Sequence, residues 1–174
     1  MKKIYLILMN THTIPSRLVR IFTMYRYTHV ALSLDKDCYK IYSFGRKSIH
    51  NILKGGFTIE KQNGEFFQKF DKTICKIYEL QVSNKQYYKI NKNINNMVKN
   101  KEIYKYDLLG AILRFFKIPI KRKNKYVCSS FLAYLLEDSN TYKFNKKTCF
   151  VKPKDITKID SLKEIYCGYY KQYT

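Results

Sequence analysis

An α+β fold is predicted for this chain, because strand-like and helix-like segments are mixed without the regular alternation that a wound parallel sheet needs. Two stretches anchor that reading. Ile4–Met9 is a short continuous run of strand formers, suited to a strand buried on both faces, and CSSFLAYLLED, residues 128–138, has helical spacing with Phe131, Leu132, Leu135 and Leu136 available for a core. With 174 residues, 45% of them hydrophobic, the chain is long enough to bury a sizeable core. Its length fits one domain spanning residues 1–174, with no internal repeat and no linker.

In order along the chain, SRLVRIFTMY after Pro15 places Leu18, Ile21 and Phe22 opposite Arg17 and Arg20, the pattern of a short amphipathic helix. HVALSLD and CYKIYSF are alternating runs joined by Asp35-Lys36-Asp37 and read as a β-hairpin. Strand alternation puts His29, Ala31 and Ser33 on one face of its first strand and Val30, Leu32 and Leu34 on the other. Residues 45–56, with Gly45, Gly55 and Gly56, read as a loop whose glycines would permit a lid. FTIEKQNGEFF is expected to form a second hairpin about Asn63-Gly64, and residues 73–82 another strand. From Ser83 the period changes. Ser83 and Gln86 have capping-box spacing, and Tyr87, Ile90, Ile94 and Met97 continue as a helical stripe. A second helix is expected from about Asp107 to Phe116, then a basic loop at KRKNK, the Cys128 helix, a helical corner after Pro153 with Asp155, and a last strand at IYCGYY.

Charge and cysteine usage narrow the setting. The chain has 34 Lys and Arg against 13 Asp and Glu, a net +21, which attracts anionic partners of many kinds. The lysines are spread along the whole length, so no specific nucleic-acid partner is expected; an anionic surface or polymer remains possible. Five cysteines at 38, 75, 128, 149 and 167 form no C-x-x-C and no even framework, which points to reduced thiols. The apolar run at Ile4–Met9 is shorter than the about 7–15 residues of a signal core. No stretch reaches the ~18 apolar residues of a membrane span, so a cytoplasmic product is expected.

Cys128 begins its helix just after Lys121, Arg122, Lys123 and Lys125. Unpaired N–H groups at a helix start and nearby positive charge are the two local agents that stabilise a thiolate. The N–H groups of Cys128 and Ser129 could also receive the oxyanion formed on an acyl carbon. A buried cysteine is more often a small core residue, so a base is required. Of the three histidines, His29 opens a strand, whereas His12 and His50 fall in apparent loops. There is no glycine-rich phosphate loop, no H-E-x-x-H and no metal set among such separated histidines, and no cofactor is implied.

YTHVALSLD followed far along the chain by YVCSSFLAYLLE resembles the circularly permuted branch of the NlpC papain-like superfamily, especially the YiiX-like hydrolases. In that branch the histidine strand precedes the cysteine helix, as it does here. The resemblance implies a papain-like domain with a central antiparallel sheet packed against helices, Cys128 as nucleophile and His29 as base. Its third member lies on the strand after the histidine, often Glu or His in related enzymes. Here Ser43 is the best candidate, a departure that offers imidazolium only a neutral partner. Tyr42 is a possible substitute for it, Arg46 a possible binder of a substrate carboxylate or phosphate, and Ser129 and Tyr126 flank the nucleophile. The function expected is a cysteine-dependent hydrolase or acyltransferase cleaving an amide, thioester or ester bond in a peptide or an acylated small molecule or lipid. The alternative is a non-catalytic papain-like scaffold that holds an anionic polymer or membrane surface.

Overall fold

A computed structural model describes residues 1–13, 16, 20, 24–47, 55–120 and 122–174. The expected helix over 16–25 lies largely outside the described residues. Among the described residues eight strands form one sheet: β1 (Lys2–Asn10), β2 (His29–Ser33), β3 (Lys40–Arg46), β4 (Gly55–Lys61), β5 (Ile74–Val82), β6 (Lys105–Tyr106), β7 (Lys125–Tyr126) and β8 (Lys163–Tyr169). Their order is β7-β6-β4-β3-β2-β1-β5-β8. All paired strands are antiparallel except β6 and β7, which run parallel, so the sheet is mixed rather than wholly antiparallel. Two residues per strand are too few for an alternation pattern, which is why this edge pair was invisible in the sequence.

β1 lies between β2 and β5, and its apolar run is buried on both faces, as a central strand with cover on each side must be. One face carries Ile4, Leu6, Leu8, Val30, Leu32, Phe44 and Phe57 against the helices; the other carries Ile7, Met9, Ala31, Ile41 and Ile77. The helices on the first face are α2 (Asn84–Lys99), with Ile90, Ile94 and Met97 buried, and α4 (Cys128–Asp138), with Phe131, Leu132, Leu135 and Leu136 buried. The Ser83–Gln86 capping box forms, each side chain bonding the other's backbone N–H. Between them α3 (Leu108–Phe115) starts at an Asp107 cap, and a short α5 (Pro153–Ile156) forms the expected corner. Phe131 anchors this layer, its ring centroid 5.1 Å from that of Phe44 and 5.8 Å from that of Phe57. The resulting architecture is α+β.

Two local expectations are corrected. After β4 the chain does not return as a hairpin strand but forms a one-turn helix, α1 (Glu65–Lys69), which buries Phe67 against Tyr170 at a ring separation of 4.6 Å. Burial of that ring under the C-terminal segment, a contact between residues about a hundred positions apart, outweighs the Asn-Gly turn signal. The glycines assigned to a loop lie instead in paired strands, Gly45 opposite Gly56 and Arg46 opposite Gly55; residues 48–54 lie outside the described residues.

Candidate active site

Cys128 is the first residue of α4 and is 7% exposed. Its helix start is tied down by serines: the Ser130 hydroxyl accepts from Val127 N–H at 3.1 Å, and Ser129 Oγ donates to the Val151 carbonyl at 2.6 Å. Burial raises the thiol pKa, opposed by the backbone N–H groups of Val30, Ser129 and Cys128 and by the charge of Arg114. The basic charge that acts on the sulfur is therefore Arg114 on α3. Of the residues upstream of the helix, Arg122 is instead paired with Asp107. Cys38 and Cys75, which lack a helix start, are pushed by burial up to about 12. Cys149 is half-buried and Cys167 exposed, and all five thiols are free.

His29 opens β2, and Ser43 of β3 meets it, with Ser43 Oγ 3.1 Å from His29 Nε2. The same hydroxyl donates to the Val30 carbonyl at 2.6 Å. A serine has one hydroxyl proton, so once that proton is given to Val30 the oxygen can only accept from the imidazole. The neutral ring is then protonated at Nε2 and carries its lone pair on Nδ1, the form a general base needs. Burial and the Arg46 charge lower its pKa to about 4, which keeps the ring neutral through the physiological range.

The thiol and the imidazole share no hydrogen bond, and they belong to different faces of the sheet. His29 pairs with Met9 and lies on the Ala31 side, whereas Cys128 joins the cluster of Val30 and Leu32. Val30 lies between them: its carbonyl receives Ser43, and its N–H is one of the groups that oppose the burial-raised pKa of the thiol. β2 and β3 are in register only at Leu32 and Tyr42, so toward His29 the ladder opens and side chains serve the freed backbone groups. At this opening, groups from both faces reach a single residue.

Other polar residues surround the two. Glu60 on β4 is pushed up to about 7 by burial, opposed by the Thr58 hydroxyl and the Arg46 charge. Thr58 lies opposite Ser43 in the ladder, and Arg46 places its guanidinium over the rings of Phe66 and Phe70 at 5.7 and 5.5 Å. On the helix side, fully buried Asp107 accepts from Gly110 N–H at 3.1 Å, from Arg114 at 2.6 Å and from Arg122 at 3.2 Å. Arg114 Nε is the one buried side-chain nitrogen or oxygen without a hydrogen-bond partner among the described residues.

Among the remaining expected residues, Tyr42 is buried in a stack with Phe57, and Tyr126 packs on Phe44 and Tyr134. The Ser129 hydroxyl is committed to the Val151 carbonyl, and its backbone N–H is among the groups that oppose the raised pKa of the Cys128 thiol. Glu60, Thr58, Asp107 and Arg114 were not foreseen. An isolated acidic residue in a strand otherwise flanked by apolar and basic neighbours was the one available signal for Glu60. No family model, curated protein or solved structure matches the chain.

Proposed function

We propose that this chain is a thiol hydrolase or acyltransferase of papain-like, permuted NlpC type, with Cys128 as nucleophile, His29 as base and Ser43 as the residue that sets the imidazole tautomer. The observation that carries the reading is the Ser43 hydroxyl, which donates to the Val30 carbonyl and accepts from His29 Nε2, and so leaves His29 Nδ1 as the basic nitrogen. Both partners are neutral at rest, the thiol held up and the imidazole held down by burial. Proton transfer therefore accompanies attack rather than preceding it.

In the proposed cycle, Cys128 Sγ bonds to the acyl carbon while its proton passes to His29 Nδ1 and the carbonyl electrons move to oxygen. The N–H groups of Cys128 and Ser129 receive that oxyanion. Collapse breaks the bond to the leaving amine, alcohol or thiol, which takes the proton from His29. Water or another acceptor then attacks the thioester, with His29 removing its proton, and the free thiol returns. The first transfer requires Nδ1 within about 3 Å of the sulfur, a contact that the resting arrangement, with the two groups on different faces of the sheet, does not make.

The candidate substrates are peptides and acylated small molecules or lipids. Incubation with a panel of activated esters, thioesters and peptide amides, followed by mass spectrometry of the trapped protein, tests the reading. An acyl adduct on Cys128 that is absent in His29→Ala supports it, and adducts only on Cys149 and Cys167 overturn it. The absence of a Cys128–His29 hydrogen bond favours a second reading, a non-catalytic scaffold for an anionic polymer or surface. Its signature is salt-sensitive binding that is unchanged in Cys128→Ala, with no acyl adduct from any substrate.

A further inference from the structure

α3 presents an apolar stripe to solvent. Leu108, Leu109, Ile112 and Phe116 recur at helical spacing along one side of the helix, each more than half exposed, and Ile118 continues the patch just beyond its end. Contiguous exposure of large aliphatic and aromatic side chains on a folded chain marks an interaction surface. Gly110 and Arg114 on the other side of the helix bond its own cap, Asp107, and the cap is tied to the rest of the protein by Arg122 and by the Tyr126 carbonyl. The stripe is thus outward by construction and does not belong to the core.

Charge along this part of the chain is mostly of one sign. From Ile103 to Val127 the chain carries seven basic residues (Lys105, Arg114, Lys117, Lys121, Arg122, Lys123 and Lys125) and a single acid, Asp107, which is buried and already paired. Lys105, Lys117 and Lys123 are exposed. A second copy docking face to face would bring two such basic rims together, which opposes a symmetric dimer here. Half-exposed leucine and isoleucine on a helix with basic neighbours match instead the pattern of a helix that lies in the interface of an anionic bilayer, its apolar side entering the acyl boundary and its lysines meeting headgroups.

We infer that the exposed face of α3, with Leu109 and Ile112 at its centre and the basic segment after it, docks this protein onto an anionic lipid surface. Asp107 N–H bonds the Tyr126 carbonyl, two residues before Cys128, so the docked face is structurally continuous with the start of the cysteine helix. Docking itself requires no chemistry at the thiol.

The test is sedimentation of the full chain with vesicles of phosphatidylcholine containing about 30% phosphatidylglycerol, against pure phosphatidylcholine. The expected result is binding to the anionic vesicles that falls at least about tenfold in Leu109→Ser/Ile112→Ser and falls again in about 0.5 M salt. Because both substituted side chains are exposed, the far-UV spectrum and thermal midpoint of the variant should match the parent. Vesicle binding unchanged in the double variant overturns the inference, since charge alone would then account for it. Absence of binding by the parent overturns it as well, as does a parent dimer in sedimentation velocity that the double variant dissociates. Cys128→Ser separates this inference from the thiol reading: it should bind vesicles like the parent, whatever becomes of acyl transfer.

Discussion

Ser43→Ala isolates the residue on which the imidazole geometry depends. Ser43 is 2% exposed, and its hydroxyl serves two buried groups, donating to Val30 O at 2.6 Å and accepting from His29 Nε2 at 3.1 Å. Removing it leaves a backbone carbonyl and a ring N–H without their partner, at a cost of about 1–3 kcal/mol for each group that water does not reach. A loss of about 2–4 kcal/mol in urea unfolding is therefore expected. The chemical effect is separable. Without an acceptor at Nε2 the ring is free to place its proton on Nδ1, and the fraction of molecules with a usable base falls. A general base contributes about 10²–10⁴-fold, so partial loss of its correct form should slow acylation of Cys128 by about 10–100-fold. The assay is the second-order rate of Cys128 modification by an acyl electrophile, followed by mass spectrometry under conditions where the variant is fully folded. Ser43→Thr keeps the hydroxyl and should recover most of the rate. An acylation rate within about twofold of the parent in Ser43→Ala, alongside the stability loss, would refute the tautomer argument and leave Ser43 a purely structural residue.

Three other outcomes follow from the packing and charge. His29 has a folded pKa of about 4, below its ordinary 6.5, so its contribution to stability is present above pH 6.5 and is lost as pH falls toward 4. Urea titrations at pH 7 and 4.5 should show His29→Gln losing about 1–3 kcal/mol less than the parent over that interval, while acylation by the parent persists down to about pH 5. Glu60 has the opposite sign. Its pKa is raised from 4.5 to about 7, so the parent is favoured below pH 4.5 and loses stability as pH rises through 7. Glu60→Gln should gain about 1–3 kcal/mol relative to the parent between pH 4.5 and pH 8, read from the same unfolding curves. A Cβ at Gly110 would collide with the Asp107 carboxylate, so Gly110→Ala must displace the buried acid from Arg114 and the helix cap; a loss of at least about 2 kcal/mol in thermal or urea unfolding is expected.

Local signals carried much of this architecture. The Ser83–Gln86 cap, the buried run of β1 and the start of α4 at Cys128 depend on neighbours within a few residues, and each was readable. The meeting of Ser43 with His29 was readable only in part: the hairpin brings the two strands together, but with Leu32 opposite Tyr42 the serine falls opposite Ala31 and reaches His29 on the diagonal. The rest depends on distant partners. Phe67 became helical because Tyr170 covers it, and Asp107 is satisfied by arginines seven and fifteen residues away once the segment after α3 turns back. Glu60 acquires its raised pKa from burial at the β4 surface beside Arg46, which no strand pattern encodes. The opening between β2 and β3 at Val30, on which the chemistry turns, is likewise a departure from regular pairing.

A race among the five thiols tests the central claim most directly. By exposure alone Cys167 should react first, Cys149 next and buried Cys128 after them. With a general base acting on the thiol, an acyl electrophile near neutral pH should modify Cys128 fastest, and His29→Ala should slow that site at least about tenfold while leaving Cys167 unchanged. Modification in the order of exposure, with Cys128 reacting only as the protein unfolds, would contradict the account.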